Sequence, residues 1–150
     1  MDKKQFVPED FVVPLVLETE YFRLRMLSVD DVEKDYEAVM ETQERFLAVG
    51  YGWPREGFTL AENLADLEQH QQEFLRREAF AYTVVSSDES RVLGCVYINP
   101  AKQEGEDARI WMWVRESEYE KGLDPILFRE VKQWVKKTWP FRMVSYPERE

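Results

Sequence analysis

The segment from Ser117 to Val131, "SEYEKGLDPILFREV", brings together a glycine, a carboxylate and the opening of a helix. It reads as a strand end, a short turn carrying Gly122 and a helix begun by Asp124-Pro125. The free N–H groups and positive dipole end of a helix start form a natural anion site. This start instead offers a carboxylate and a proline that has no N–H to give. Two readings stay open on local chemistry. In one, Asp124 is an N-cap with Pro125 at the first helical position, and the carboxylate accepts the free amides itself. In the other, Lys121 and the loop amides hold a phosphate in an altered cradle.

Other reactive residue types are sparse. Cys95 lies inside the apolar run "RVLGCVYINP" with no histidine or cationic cluster beside it, so it reads as a small buried hydrophobe. His70 follows Leu67 by one turn in a helical pattern, and no second ligand or Asp partner is identifiable for a metal site or a triad. No metal is expected. Trp111 and Trp113 alternate with Ile110, Met112 and Val114, and share a strand face with Arg109 and Arg115. They fit an acceptor pocket or an aromatic layer packed under a helix. No phosphate-binding Walker loop, zinc spacing or basic-aromatic nucleic-acid patch is present.

Composition narrows the partners. A net charge of -10 opposes nucleic acid, whose binding rests on phosphate neutralisation, and favours a cationic amine or basic peptide. The longest apolar stretch, "FVVPLVL" from Phe11, contains Pro14 and falls far short of the roughly 20 residues a bilayer span needs. The start "MDKKQFVPED" lacks the apolar run of a signal peptide, so no membrane association and a cytoplasmic location are expected. A chain of 150 residues has the size of one domain, 1–150, around one core.

Elements that position these residues follow from periodicity. "YFRLRML" places Phe22, Leu24 and Met26 on one strand face and Arg23 and Arg25 on the other. Ser28 and Asp31 form a capping signature, and Val32, Tyr36, Val39 and Met40 continue at helical spacing. "VGYGWPREGF" is loop by its glycines and proline. Thr59 and Glu62 open a second capped helix with Leu60, Leu64, Leu67, Phe74 and Leu75 along its buried face. "FAYTVV" and "RVLGCVYI" flank the polar "SSDES" as a hairpin, and "ARIWMWV" follows, giving three antiparallel strands. A third helix from Pro125 turns Leu127, Val131, Trp134 and Val135 inward and stops at Pro140. "RMVSY" is a last short strand. The expected class is α/β (α+β), a mixed and mostly antiparallel sheet flanked by helices in the order β-α-α-β-β-β-α-β.

That order, with "LETEYFRLRMLSVDD" from Leu17 to Asp31 and the Leu93-Gly94 pair in "RVLGCVYI", resembles the GNAT superfamily of acyl-CoA-dependent N-acyltransferases. The first stretch is similar to the branch that acetylates protein N-termini and small amines, where Thr-Glu-x-x-x-Leu-Arg runs into the first strand. The resemblance covers about Leu17 to Tyr146. It implies that "ARIWMWV" splays from "RMVSY", with backbone groups near Trp113 and Val114 holding the pantetheine arm of acetyl-CoA and polarising its carbonyl. The family's pyrophosphate loop falls on Tyr119-Glu120-Lys121-Gly122-Leu123-Asp124, where only the middle glycine matches. The implied cofactor contacts are therefore Trp113, Val114, Lys121, Gly122, Leu123 and Asp124.

The same resemblance implies catalytic candidates. Glu106 and Asp107, at the start of "ARIWMWV", stand where relatives carry a base, and a polar loop surface is their plainer reading. Tyr146, ending "RMVSY", stands nearest to the tyrosine that relatives use as an acid, and a structural residue is its plainer reading. Relatives usually continue past this strand with a helix and further strands, whereas the sequence stops at Glu150. The face such a helix would cover is expected to be met by the N-terminal arm, 1–16, or by a second copy in a homodimer. The expected function is acetyl-CoA-dependent N-acetyl transfer to an amine, small molecule or protein N-terminus, with a GNAT-fold binding protein that lacks transfer as the alternative.

Overall fold

The computed structural model describes residues 5–149. Six strands run in sequence order through one sheet: β1 (Val16–Glu18), β2 (Arg23–Met26), β3 (Phe80–Val85), β4 (Val92–Pro100), β5 (Ala108–Val114) and β6 (Val144–Ser145). The first four pairings are antiparallel and the last, β5 with β6, is parallel. Five helices flank the sheet: α1 (Val32–Glu41), α2 (Gln43–Ala48), α3 (Leu60–Leu75), α4 (Glu116–Glu120) and α5 (Leu123–Thr138). The mixed, mostly antiparallel class is thus the one the periodicities give.

Both sheet faces are buried, as the near-continuous apolar runs of β3, β4 and β5 require. One face turns Tyr82, Val96, Ile98, Ile110 and Met112 against Leu127, Val131, Trp134 and Val135 of α5. The other turns Ala81, Cys95 and Trp113 against Ala38 and Val39 of α1, Phe46 of α2 and Leu67 of α3. The N-terminal arm lies on the α5 face. Phe6 stacks on Phe80 and Phe141, Phe11 meets Trp139, and the Tyr82 hydroxyl donates to the Pro14 carbonyl at 2.6 Å.

Helix starts follow the capping residues. Thr59 Oγ1 accepts from Glu62 N at 3.1 Å and donates to the Glu62 carboxylate at 3.2 Å, so Thr59 caps the start of α3. Ser28 accepts from Asp30 N and starts a 3-10 turn over Val29–Asp31 before α1. Four elements differ from the sequence reading. α2 adds a short helix between α1 and the glycine-rich loop. β1 adds a strand at the end of the arm. The residues Glu116–Glu120, read as a strand end, form the short helix α4. Finally α5 begins at Leu123, so Asp124 is not its N-cap.

Gly122 explains the last two. Its φ of 88° is left-handed, and its N–H donates to Tyr119 O at 3.0 Å, the stop signal of a helix ending at α4. The same residue is the N-cap of α5. Its glycine character therefore serves a helix-to-helix corner, which only a residue without Cβ makes without strain.

Candidate functional site

β5 and β6 pair over two residues only, Ala108 with Val144 and Arg109 with Ser145, and part beyond them. At the closed end the Asp107 carboxylate accepts from Arg142 N at 2.7 Å and Met143 N at 2.9 Å, fastening the start of β6. At the open end the chain turns through Tyr146 and Pro147 while β5 continues to Val114. The space between is a cavity of about 200 Å³ reached by Trp111, Met112, Trp113 and Val114 from β5, Phe46 from α2 and Asp124 from α5. The Met112 carbonyl faces this gap, since it accepts from Arg149 Nη2 at 3.2 Å. A strand residue directs its N–H and C=O to the same side, so the Met112 amide faces the gap as well, and Val114, two residues on, repeats the direction.

β5 is held in this position by a close approach. A Cβ placed on Gly94 would lie 2.1 Å from Trp113 O and 2.9 Å from Val114 Cα. The Leu93-Gly94 pair thus lets the backbone of β4 touch that of β5 where the gap opens.

A second, larger cavity of about 580 Å³ lies on the helical face formed by α1 and α3. Its aromatic wall is continuous: Trp111 stacks on Tyr97 at 5.0 Å and meets the edge of Tyr51 at 5.0 Å, and His70 lies 5.3 Å from Tyr97. Three carboxylates line it. Asp35 accepts from Asn63 Nδ2 at 2.9 Å, Asp66 from Trp53 Nε1 at 3.2 Å and Glu148 from the Tyr51 hydroxyl at 3.0 Å. Burial pushes the Asp35 carboxyl up to about 6, against the Asn63 hydrogen bond, with Asp31 and Asp66 adding repulsion. Lys102, Asn99 and Arg109 complete the lining.

The two cavities share Tyr51, Trp111, Pro147 and Glu148. These four residues stand between a narrow gap edged by backbone groups and a roomy pocket of carboxylates and rings. Burial raises the Tyr51 phenol, which the adjoining Glu148 carboxylate reinforces, so Tyr51 is a protonated donor at neutral pH.

The mouth of the gap is closed by an ion pair. Arg149 holds both carboxylate oxygens of Asp124, at 2.8 Å each, while its guanidinium lies 5.3 Å from the Phe128 ring centre. Asp124 neither caps α5 nor faces the gap as a bare charge. Of the two readings of this helix start, a carboxylate turned onto its own amides is therefore replaced by a carboxylate turned onto a C-terminal arginine.

The residues singled out from sequence divide clearly by position. Trp113, Val114 and Asp124 line the gap. Trp113 also donates through Nε1 to the Tyr97 hydroxyl at 3.1 Å. Lys121 lies outside it, exposed and 3.8 Å from Glu118, and Leu123 is in the core. Glu106 and Asp107 are at the closed end of β5–β6 and line a separate cavity beside Phe6 and Arg77, away from the gap. Tyr146 is buried against Phe128 and reaches neither of the two joined cavities, because the chain turns it into the α5 layer. Sequence reading missed Tyr51 and Glu148. Tyr51 sits in a segment legible only as loop, and its partner lies 97 residues away. Arg115 is a structural clamp, 2% exposed, bound to Glu37, Glu41 and the Val92 carbonyl. Cys95 is fully buried with its thiol pushed up by that burial, so it is inert.

Among the described residues, no group of three or more His, Cys, Asp or Glu is placed to hold a metal ion, and no helix is long and apolar enough to cross a membrane.

No protein-family profile matches the sequence, and no curated protein matches it by sequence comparison. Solved structures do match. The ribosomal-protein-S5-alanine acetyltransferase of Vibrio fischeri superposes with a TM-score of 0.69 over 91% of this chain and 77% of its own, at 18% identity. The fold is that of the GNAT superfamily. The GNAT-fold microcin C7 self-immunity acetyltransferase MccE, solved with acetyl-CoA and AMP, matches with a TM-score of 0.65, 15% identity and coverage of 79% and 63%. The ribosomal L7/L12 α-N-protein acetyltransferase RimL, in its apo form, matches with a TM-score of 0.63, 16% identity and coverage of 81% and 65%. The splayed β5–β6 pair and the helix start at Gly122 therefore occur within a GNAT scaffold.

Proposed function

We propose that this GNAT-fold protein is an N-acetyltransferase that moves an acetyl group from acetyl-CoA to an amine. The observation that carries the reading is the parting of β5 from β6 beside a second cavity that shares its wall. An interaction module gains nothing from leaving strand edges unpaired, because buried amides without partners cost free energy. The residues fit the co-substrate: Met112 and Val114 offer a backbone edge for a pantetheine arm, and Arg149 holds a guanidinium at Asp124 in the first turn of α5. Acetyl-CoA would supply the activated acetyl group.

The chain's own residues then divide the work. The Met112 and Val114 amides stabilise charge that develops on an acyl oxygen held in the gap. Glu148 takes the proton that an attacking amine must lose as its nitrogen–carbon bond forms. Tyr51 gives a proton to the departing sulfur as the carbon–sulfur bond breaks. Their mutual hydrogen bond lets the proton gained by Glu148 replace the one given by Tyr51, so the pair returns to its starting state. Trp111 separates the two cavities and keeps water from the reacting centre.

One observation favours the alternative, a GNAT-fold binding protein: the Arg149–Asp124 pair already fills the mouth of the gap. Calorimetric titration with acetyl-CoA, followed by measurement of thiol release with a panel of primary amines, tests both. Saturable binding with amine-dependent thiol release is the expected outcome. Binding without release favours the binding protein, and no binding at millimolar acetyl-CoA overturns the acetyltransferase reading.

A further inference from the structure

Among the described residues, two cations at the wall of the larger cavity hold no acidic side chain in an ion pair. Arg109 and Lys102 both line it, and among the described residues neither forms an ion pair or hydrogen bond with a carboxylate. By contrast, Arg25, Arg45, Arg91, Arg115 and Arg149 each hold an acidic side chain. In a chain with 30 acidic and 20 basic residues, cations without an acidic partner at a cavity wall call for an acceptor from outside.

The acidic groups of the cavity are placed differently. Asp35, Asp66 and Glu148 each already accept a hydrogen bond, and Glu148 stands at the wall shared with the gap. Arg109 precedes Trp111 by two residues on the same strand face, a step of roughly 7 Å. Tyr51 and Glu148 line the gap as well as the cavity, whereas Arg109, paired with Ser145 at the closed end of β5–β6, and Lys102 line the cavity alone. The cavity therefore has a proton-accepting end at the gap and a cationic end away from it.

Resting on the acetyl-transfer reading of the site, we propose that the acceptor is a molecule with a primary amine at one end and an anionic group, in the simplest case a carboxylate, at the other. Arg109 and Lys102 bind the anion while the amine meets Glu148. An ordinary α-amino acid, whose amine and carboxylate share one carbon, is disfavoured, because Arg109 is already a two-residue strand step from the gap-lining Trp111. A diamine is disfavoured, because its second ammonium would face two cations. An ω-amino acid and the free N-terminus of a short peptide share the required chemistry.

The test uses 6-aminohexanoate, triglycine, hexylamine and 1,5-diaminopentane. Each is titrated calorimetrically into the protein without acetyl-CoA and then assayed for acetylation with it. At least one of the two amino carboxylates is expected to bind about tenfold tighter than hexylamine, and the better of them identifies the ω-amino acid or the peptide as the source. Arg109→Gln should reduce that affinity to the hexylamine level at an unchanged melting temperature. If that variant does not fold, Lys102→Gln, at an exposed loop position, should weaken the same ligand several-fold. Equal binding of hexylamine and both amino carboxylates, or tighter binding of the diamine, overturns the proposal. Selective binding without acetylation would uphold it while overturning acetyl transfer, and acetylation of all four without preference would do the reverse.

Discussion

Arg149 grips both oxygens of Asp124 at 2.8 Å and reaches the Met112 carbonyl at 3.2 Å, so one C-terminal side chain ties the start of α5 to the edge of β5 across the gap. The pair is mostly buried, with side-chain exposures of 19% and 18%. It makes a site that would otherwise repel anions electrically neutral. Asp124→Asn should leave the guanidinium available to a phosphate and tighten acetyl-CoA several-fold, on the order of 1 kcal/mol at such a site. Arg149→Ala should weaken it by leaving the carboxylate alone. Both effects should shrink in high salt. Calorimetry on the two variants checks this, and equal affinities would place the phosphates away from this pair.

Gly94 carries a second prediction. The atoms it would meet with a Cβ, Trp113 O and Val114 Cα, are backbone and cannot rotate away. Gly94→Ala should therefore push β5 from β4 and cost about 1–3 kcal/mol, as overpacking does. Urea denaturation should show a lower midpoint with an unchanged slope. A wild-type midpoint would mean that the two strands separate without penalty.

The fold was legible because its strands are long apolar runs or clean alternations and its main helices carry caps, as at Thr59. What escaped was short or distant. β1 spans three residues just after Pro14, and α4 is five residues, "ESEYE", with no apolar stripe to mark it. Gly122 was visible as a special position, but a left-handed helix stop and a phosphate loop both ask for glycine there. Among site residues, the strand positions Trp113 and Val114 follow from element order and line the gap. Tyr51, Glu148 and Arg149 do not, because a loop and a C-terminal segment meet only after the sheet has formed. Tyr146, the tyrosine favoured by chain position, is turned by local strand direction into the core beside Phe128.

Asp35 sets a pH dependence of stability. Its carboxyl is raised from 3.8 to about 6, chiefly by burial, so the folded state holds a proton that the unfolded chain has lost. Between these values the unfolded state binds fewer protons, and stability falls as pH rises from about 4 to about 6. The full displacement corresponds to about 3 kcal/mol. Asp35→Asn cannot ionise and should be more stable than the wild type at pH 7.5, with the difference vanishing near pH 4. Chemical denaturation across this range measures it. Parallel curves for the two proteins would show that Asp35 ionises freely.

The hydrogen bond from Tyr51 to Glu148 supplies the sharpest test of transfer chemistry. Tyr51→Phe keeps the ring that packs on Phe46 and Trp111 and removes only the hydroxyl that meets Glu148 at 3.0 Å. Binding in either cavity should change little, since neither the backbone edge of β5 nor the cationic end near Arg109 is touched. The acetylation rate at saturation should fall about a hundredfold, the lower range for loss of one general acid. Glu148→Gln should lower the rate by a similar factor at neutral pH and recover part of it at high pH, where hydroxide can take the proton that the attacking amine loses. A double variant should be no slower than either single one, because the two groups act on one proton path. Additive losses would mean that Tyr51 and Glu148 serve separate steps. A full rate in Tyr51→Phe would remove the tyrosine from the mechanism and leave the departing sulfur to be protonated by water.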